Sequence, residues 1–586
     1  MNLLDLTKAG IHFLTEPLRL ASGTQLKAEA GSRLVGGVRL QAEPLGNGQW
    51  FCDLKRAGIA PSPLISRGFA RKIIPAHNEL FINGKPMRIA QYPKNGFLEI
   101  TAVGETAPND WDLPSGTLEG GFFYQDDRPK QWKRGSLWVF GYWAWDWAPT
   151  REQVAELDAE RGFIRCCPPY GHDCYTIGQR FHFFNVLDEV TEPGDYAIDY
   201  ENGTLTFIPP ADTDPETAEV LLSLNDRPAF LIEDAEDIQI EGFRIECFRG
   251  DGIRVSRAKN VRIAGCELCN IGNRGISVDD SVDTVISGCE LHDTGDAGVA
   301  IFAGDRKTLT PGCCGVENCR IHHVARWDRC YEPPIRLSGV GLFARGNRIH
   351  DCPHTAILYN GNDICISGNE IYRVVLETSD AGAIYAGRDY TMRGNVIENN
   401  FIHHIGNRLK FGVMGIYNDD CLSGVVMRNN VFYRVQSAIL LGGGVDYVCE
   451  GNVFIACKPA ISCDGRGQSD HPIWRSMVSE TLRERFYHIE DSDVSAAEPP
   501  YLTRYPELAK LDALYRSSDA PLIPPTARIK DNVFVIDEAV HEEQRVQLTM
   551  AAEGAVLTME GNRDAQLPEL TLTDRQKAVI FGRAED

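Results

Sequence analysis

The sequence predicts an all-β chain built as a right-handed parallel β-helix solenoid, with an inserted, mostly β domain near the N-terminus and a partly helical excursion near the C-terminus. Three observations lead there. Residues 263–278 (IAGCELCNIGNRGISV) and 286–301 (ISGCELHDTGDAGVAI) match at an offset of 23 residues. A Gly-Asn, Asn-Asn or Asp-Asn pair, mostly followed by apolar residues, recurs at 346, 368, 399, 429, 451, 531 and 561. Between these markers lie short stretches such as Ile-Ser-Val, Ile-Tyr-Ala and Ile-Leu-Leu, whose apolar residues alternate with the two-residue period of a strand. A unit this short cannot bury its own apolar face, so it stacks on its neighbours.

Taken in chain order, residues 1–45, with the Gly-rich LASGTQLKAEAGSRLVGGVRL, read as an N-terminal cap or first coil. Solenoid ends need such covering because an open coil exposes its core. Residues 46–230 change character: the hairpin-like ELFINGKPMRIAQYP, the aromatic GSLWVFGYWAWDWAP and the Asn202-Gly203 turn signal point to the inserted β domain. Residues 231–586 form the β-helix, interrupted at about 465–525 by the excursion, with helices expected at 472–488 and near 504–516.

Within the solenoid, Asn347, Asn369, Asn400, Asn430 and Asn452 are spaced 22, 31, 30 and 22 apart, so short coils alternate with coils carrying longer loops. Stacked at one turn, their amides would bond coil to coil, a structural role. An isoleucine marks one strand per coil: Ile253, Ile276, Ile301, Ile335, Ile357, Ile384, Ile416, Ile439 and Ile461. If these point inward, Arg336, Leu358, Tyr385, Tyr417 and Leu440 form an exposed outward column, a candidate substrate floor.

A formal charge of -23 works against nucleic acid and strongly anionic polysaccharides, although a local basic patch could overcome the latter, while a neutral glycan meets no barrier. No run approaches the ~20 apolar residues of a membrane span. MNLLDLTKAG lacks the features of a secretory signal, so the chain as written reads as cytoplasmic, or as secreted if it has been trimmed. Many of the 18 cysteines are repeat-equivalent, as in Gly-Cys-Glu-Leu at Cys266 and Cys289, and read as small buried stacking residues. The pairs Cys266/Cys269 and Cys313/Cys314 lack a second pair at zinc-finger spacing, and no metal or other cofactor is expected.

Several segments (FINGKPMRIAQYP, WVFGYWAWDWAP, FNVLDEVTEPGDYAIDYENGTLTFIPP, ETSDAGAIYAGRDYTMRGN, GIYNDDCLSG and YLTRYPELAKL) resemble bacterial β-helix proteins of the pectate-lyase-like superfamily, and most nearly glycoside hydrolase family 141. The resemblance covers most of the chain in motif order. It implies an enzyme of the α-L-fucosidase or xylanase kind acting on a plant or host glycan. It also implies a catalytic aspartate pair about forty residues apart, which falls on Asp380 and on Asp420 or Asp419.

Glycoside hydrolysis needs one carboxylic acid to protonate the leaving oxygen and a second carboxylate to attack or to activate water. The densest candidate region holds Glu377, Asp380, Asp389, Asp419 and Asp420. Measured from Ile384 and Ile416, Asp389 and Asp420 fall at the same end of neighbouring strands, ~4.8 Å apart. Asp380 falls at the opposite end, too far from Asp420 for one glycosidic bond on a straight strand. Both pairs stand, with Asp380 and Asp420 ahead. Expected substrate contacts are Glu377, Arg388, Tyr385, Tyr417, His354, Asn360 and Trp145, with His354 also a candidate general acid. Two other functions fit the sequence. One is a polysaccharide lyase using Arg336 or Arg388 as base, with calcium as a cofactor in that case only; the other is a non-catalytic glycan-binding solenoid.

Overall fold

The computed structural model describes residues 3–109, 111–133, 135, 137–214, 217–535, 545–550 and 552–582. Three long parallel sheets, of 13, 12 and 12 strands, run the length of the solenoid. Strands Gly10–Phe13, Leu18–Arg19, Gln25–Lys27 and Ser32–Val35 open these sheets, and Val546–Thr549, Val556–Glu560 and Arg563–Ala565 close them. The interior is one continuous core of buried hydrophobic side chains, mostly aliphatic, from Leu6 to Phe534. Inward isoleucines align coil on coil: Ile335 pairs with Ile357, Ile357 with Ile384, Ile384 with Ile416, Ile416 with Ile439 and Ile439 with Ile461. One marker shifts: Val299, not Ile301, pairs with Ile276 and Ile335, because both residues point inward on the same strand.

The asparagine ladder is present at one corner. Asn347, Asn369, Asn400, Asn430, Asn452 and Asn532 each donate their side-chain amide to the Oδ1 of the next coil's asparagine at 2.9–3.0 Å, ending on Asn562. Each Oδ1 also accepts the backbone N–H of the preceding asparagine. Cysteines extend the corner towards the N-terminus: Cys266 N–H meets Cys289 Sγ, Cys289 N–H meets Cys319 Sγ, and Cys319 N–H meets Asn347 Oδ1 at 3.0 Å. Asn430→Ala is therefore expected to strand two buried donors, the Asn400 backbone N–H and amide, and to cost about 2–3 kcal/mol in urea unfolding. Asn430→Asp, which keeps the acceptor, should cost less at pH 4 than at pH 8.

The chain leaves the solenoid after Ser32–Val35 and returns at Phe230–Glu233. Departure precedes residue 46 because Gly37–Arg39 pairs antiparallel with Val220–Ser223. The intervening segment forms mostly antiparallel sheets of four, five and nine strands, the last with seven strands along its main path and two branching from it. Its Asn202-Gly203 signal is a real turn, joining Asp195–Asp199 to Thr204–Phe207 with Gly203 at φ 69. Near the other end, the helix expected at 472–488 runs from Pro472 to Tyr487, with π geometry over Met477–Leu482. The second helix is Leu508–Ser517. No helix among the described residues is long and apolar enough to cross a membrane.

Candidate active site

Strands Ala381–Gly387 and Val413–Asp419 lie side by side, with Tyr385 opposite Tyr417 and Gly387 opposite Asp419. Arg336, Leu358, Tyr385, Tyr417 and Leu440 do form one column in register. The column is not exposed: Leu358, Tyr417 and Leu440 are buried, and the Tyr331 loop stands over its middle with Trp147 of the inserted domain behind it. Trp147 meets Tyr331, which packs edge-on to Tyr385 at 6.1 Å, and Arg336 donates to the Tyr331 carbonyl.

Two carboxyls converge on the two tyrosines, with a third beside them. Tyr417 donates its hydroxyl to Asp380 Oδ1 at 2.8 Å and also hydrogen-bonds towards Asp419, while Tyr385 donates to Asp419 Oδ2 at 3.0 Å. Although Asp380 is expected at the far end of the strand, Tyr417 links it to Asp419: Asp380 has left-handed backbone (φ 52) at the strand's start, and Tyr417 reaches back to it. Asp420 lies beside them, gripped on Oδ2 by Arg388 and on Oδ1 by Arg466 at 2.7 Å. Arg466 also binds Asp419 Oδ1 at 2.6 Å and Asp464 at 2.6 Å.

Charge is unevenly held in this group. Burial first, and then the neighbouring Asp420 carboxylate, push Asp419 up to about 7, against the pull of Arg466. Burial also raises Asp380 above its usual range, opposed by the Tyr417 hydroxyl. A proton therefore stays within this cluster at a pH where ordinary carboxyls are ionised.

The other expected residues divide. Asp389 is not part of the cluster: its Oδ2 faces Arg306 at 3.3 Å and its Oδ1 accepts from the Thr391 N–H and hydroxyl. The register explains why, since Arg388, not Asp389, stacks on Asp420. The same Arg306 anchors the excursion through its carbonyl, which accepts from Tyr501. Glu377 pairs with Arg329, away from the three aspartates. His354 is buried against Tyr331 with Nδ1 2.8 Å from Thr378 Oγ1, and burial pushes it down to about 3, so it is neutral and unsuited to act as an acid. Asn360 is exposed, opposite Ser338 on the strand one coil before Ala381–Gly387, and makes no bond to the cluster. Trp145 does reach the site's wall: it stacks parallel to Trp147 (6.1 Å, 8°), lies 6.3 Å from Phe411 and donates to Asp173 at 2.5 Å.

A model of the right handed beta helix region matches residues 216–331 and 334–470. The chain is a right-handed parallel β-helix protein. Among solved structures, this β-helix is similar to one described as a glycoside hydrolase, with a TM-score of 0.57 and 13% identity over 77% of this chain and 88% of the other. XylC in complex with xylose gives a TM-score of 0.44 and 12% identity over 97% and 83% of the two chains. No curated protein matches.

Sequence reasoning missed the residues that complete the β-helix's site. Arg466 comes from the turn after Ile461, and its guanidinium lies 4.9 Å from the Trp474 ring. Trp474 and His471 from the excursion meet Trp111 of the inserted domain, which packs on Trp145. Two insertions remote in sequence thus touch over the carboxylates. The signal for Arg466 was available: it stands five residues past its isoleucine marker, at the strand end that Asp420 occupies four past its own.

Proposed function

We propose that this protein is a glycoside hydrolase whose acid and base or nucleophile are Asp419 and Asp380. The observation that carries this reading is the cluster itself: two carboxyls raised by burial on one tyrosine platform, beside Asp420, which two arginines hold. Asp419 keeps its proton near neutrality and can donate it to a leaving glycosidic oxygen. Asp380 has one oxygen bound by Tyr417 and, among the described residues, no arginine clamp, which leaves it the freer carboxylate to attack or to activate water. Asp420 and Arg466 set the field, and Trp145 and Trp147 offer flat faces to sugar rings. One fold neighbour is a glycoside hydrolase, which agrees with the reading. The substrate is a glycan, for which the α-L-fucosidase and xylanase classes come first in a screen.

A panel of neutral plant and host glycans tests this. Release of reducing ends without an unsaturated, near-ultraviolet-absorbing product is the expected result. An unsaturated product would make the protein a lyase, and binding without turnover would make it a docking solenoid. On the substrate found, kcat should fall about tenfold per pH unit once pH exceeds about 7, because Asp419 must be protonated to act. A flat profile from pH 6 to 9 would remove Asp419 from the acid role.

A further inference from the structure

Away from the three aspartates, a cavity of about 560 Å³ opens between the inserted domain and the solenoid, and four of its lining residues are arginines: Arg88, Arg151, Arg326 and Arg329. Three are matched by carboxylates: Arg88 by Asp195 and Glu192, Arg326 by Glu79, and Arg329 by Glu377. Arg151 is not. It is 6% exposed, donates among the described residues only to the carbonyls of Trp327 and Arg326, and lies against the rings of Phe140 and Trp327 at 4.6 and 5.0 Å. No carboxylate among the described residues lies within ion-pairing distance of it. Trp327, also lining the cavity, leaves its indole Nε1 buried without a hydrogen-bond partner.

A buried guanidinium without an anion is costly, and aromatic faces and carbonyls offset only part of that cost. Arg151 is thus a buried cation without an anion of its own, at a wall that also presents the Phe97 ring. We propose that the cavity is a binding site for a carboxylate-bearing monosaccharide unit, a uronic acid, whose carboxylate supplies the missing anion to Arg151 while the aromatic wall receives the sugar ring. Guanidinium and carboxylate match as a planar pair, and the remaining hydroxyls face polar groups of the rim. The site shares no carboxylate with the Asp380 cluster, and the proposal stands without the hydrolytic reading.

Calorimetric titration of the full chain with D-galacturonate and D-glucuronate, set against D-galactose, D-glucose and inorganic phosphate, tests it. Saturable binding of a uronate that weakens with added salt is expected, with its neutral hexose at least tenfold weaker. Arg151→Met should lower the uronate affinity roughly 10- to 100-fold. Its melting temperature, measured alongside, should not fall by more than a few degrees, since it removes an unmatched buried charge. Equal response to uronate and hexose, or no response to either, overturns the proposal on the wild-type protein alone. Phosphate binding without uronate binding overturns the sugar assignment, and unchanged uronate affinity in a folded Arg151→Met variant overturns the role of Arg151.

Discussion

Asp380→Asn is expected to lower kcat by about 10³-fold on the glycan identified, with KM changed little, because it removes a reacting carboxylate while leaving an amide oxygen to accept from Tyr417. Folding should be unharmed. A carboxyl whose folded value is raised destabilises the native state once pH climbs above its unfolded value, so the neutral amide should match or exceed the wild type in thermal unfolding at pH 8. The gain should vanish below about pH 4, where the acid is neutral in both states. A variant keeping more than a tenth of wild-type kcat would show that Asp380 does not react.

Arg466→Met should have the largest effect on stability. Its guanidinium is the cation shared by Asp419, Asp420 and Asp464, and all four side chains are at most 13% exposed. Removing it leaves buried carboxylates to repel one another, at a cost of about 3–5 kcal/mol near neutral pH. The sign with pH is opposite to that of ordinary acid denaturation. Without the arginine the buried carboxylates lose their counter-charge and favour the protonated form, so the variant should recover towards wild type as pH falls to 5 and lose most at pH 8. Chemical unfolding of both proteins at the two pH values measures this. An equal deficit at both would mean that packing on Trp474, not charge, is what Arg466 supplies.

Much of the solenoid was legible because its physics is local and repeated. Each coil must offer an inward apolar residue at the same step, and each corner an amide that bonds along the axis, so Ile357, Ile384 and Ile416 or Asn369 and Asn400 announce themselves by spacing. The excursion's first helix was likewise readable from its own residues. The site was legible as a neighbourhood and not as a geometry. Period-two alternation told that Tyr385 and Tyr417 point out of the coil, but not that Tyr331 and Trp147 would cover them, since those come from loops fixed by tertiary contact. Counting from a marker gave the end of the strand where Asp389 lies but not the side it faces; a left-handed turn at Arg388 (φ 61) sends it to Arg306. The reach of Tyr417 to Asp380 depends on the same kind of backbone reversal, which no spacing encodes.

The order in which the chain supplies its charges has a consequence for synthesis. Asp419 and Asp420 leave the ribosome 47 and 46 residues before the arginine that neutralises them. Until that arginine arrives, Arg388 is, among the described residues, the one cation bonded to this pair, and the nascent coil closes on the two acids at an electrostatic cost. The turn that carries them should therefore set later than the coils upstream of it, and a stalled or truncated product ending before residue 466 should be caught by chaperones with its upstream coils formed and this one open.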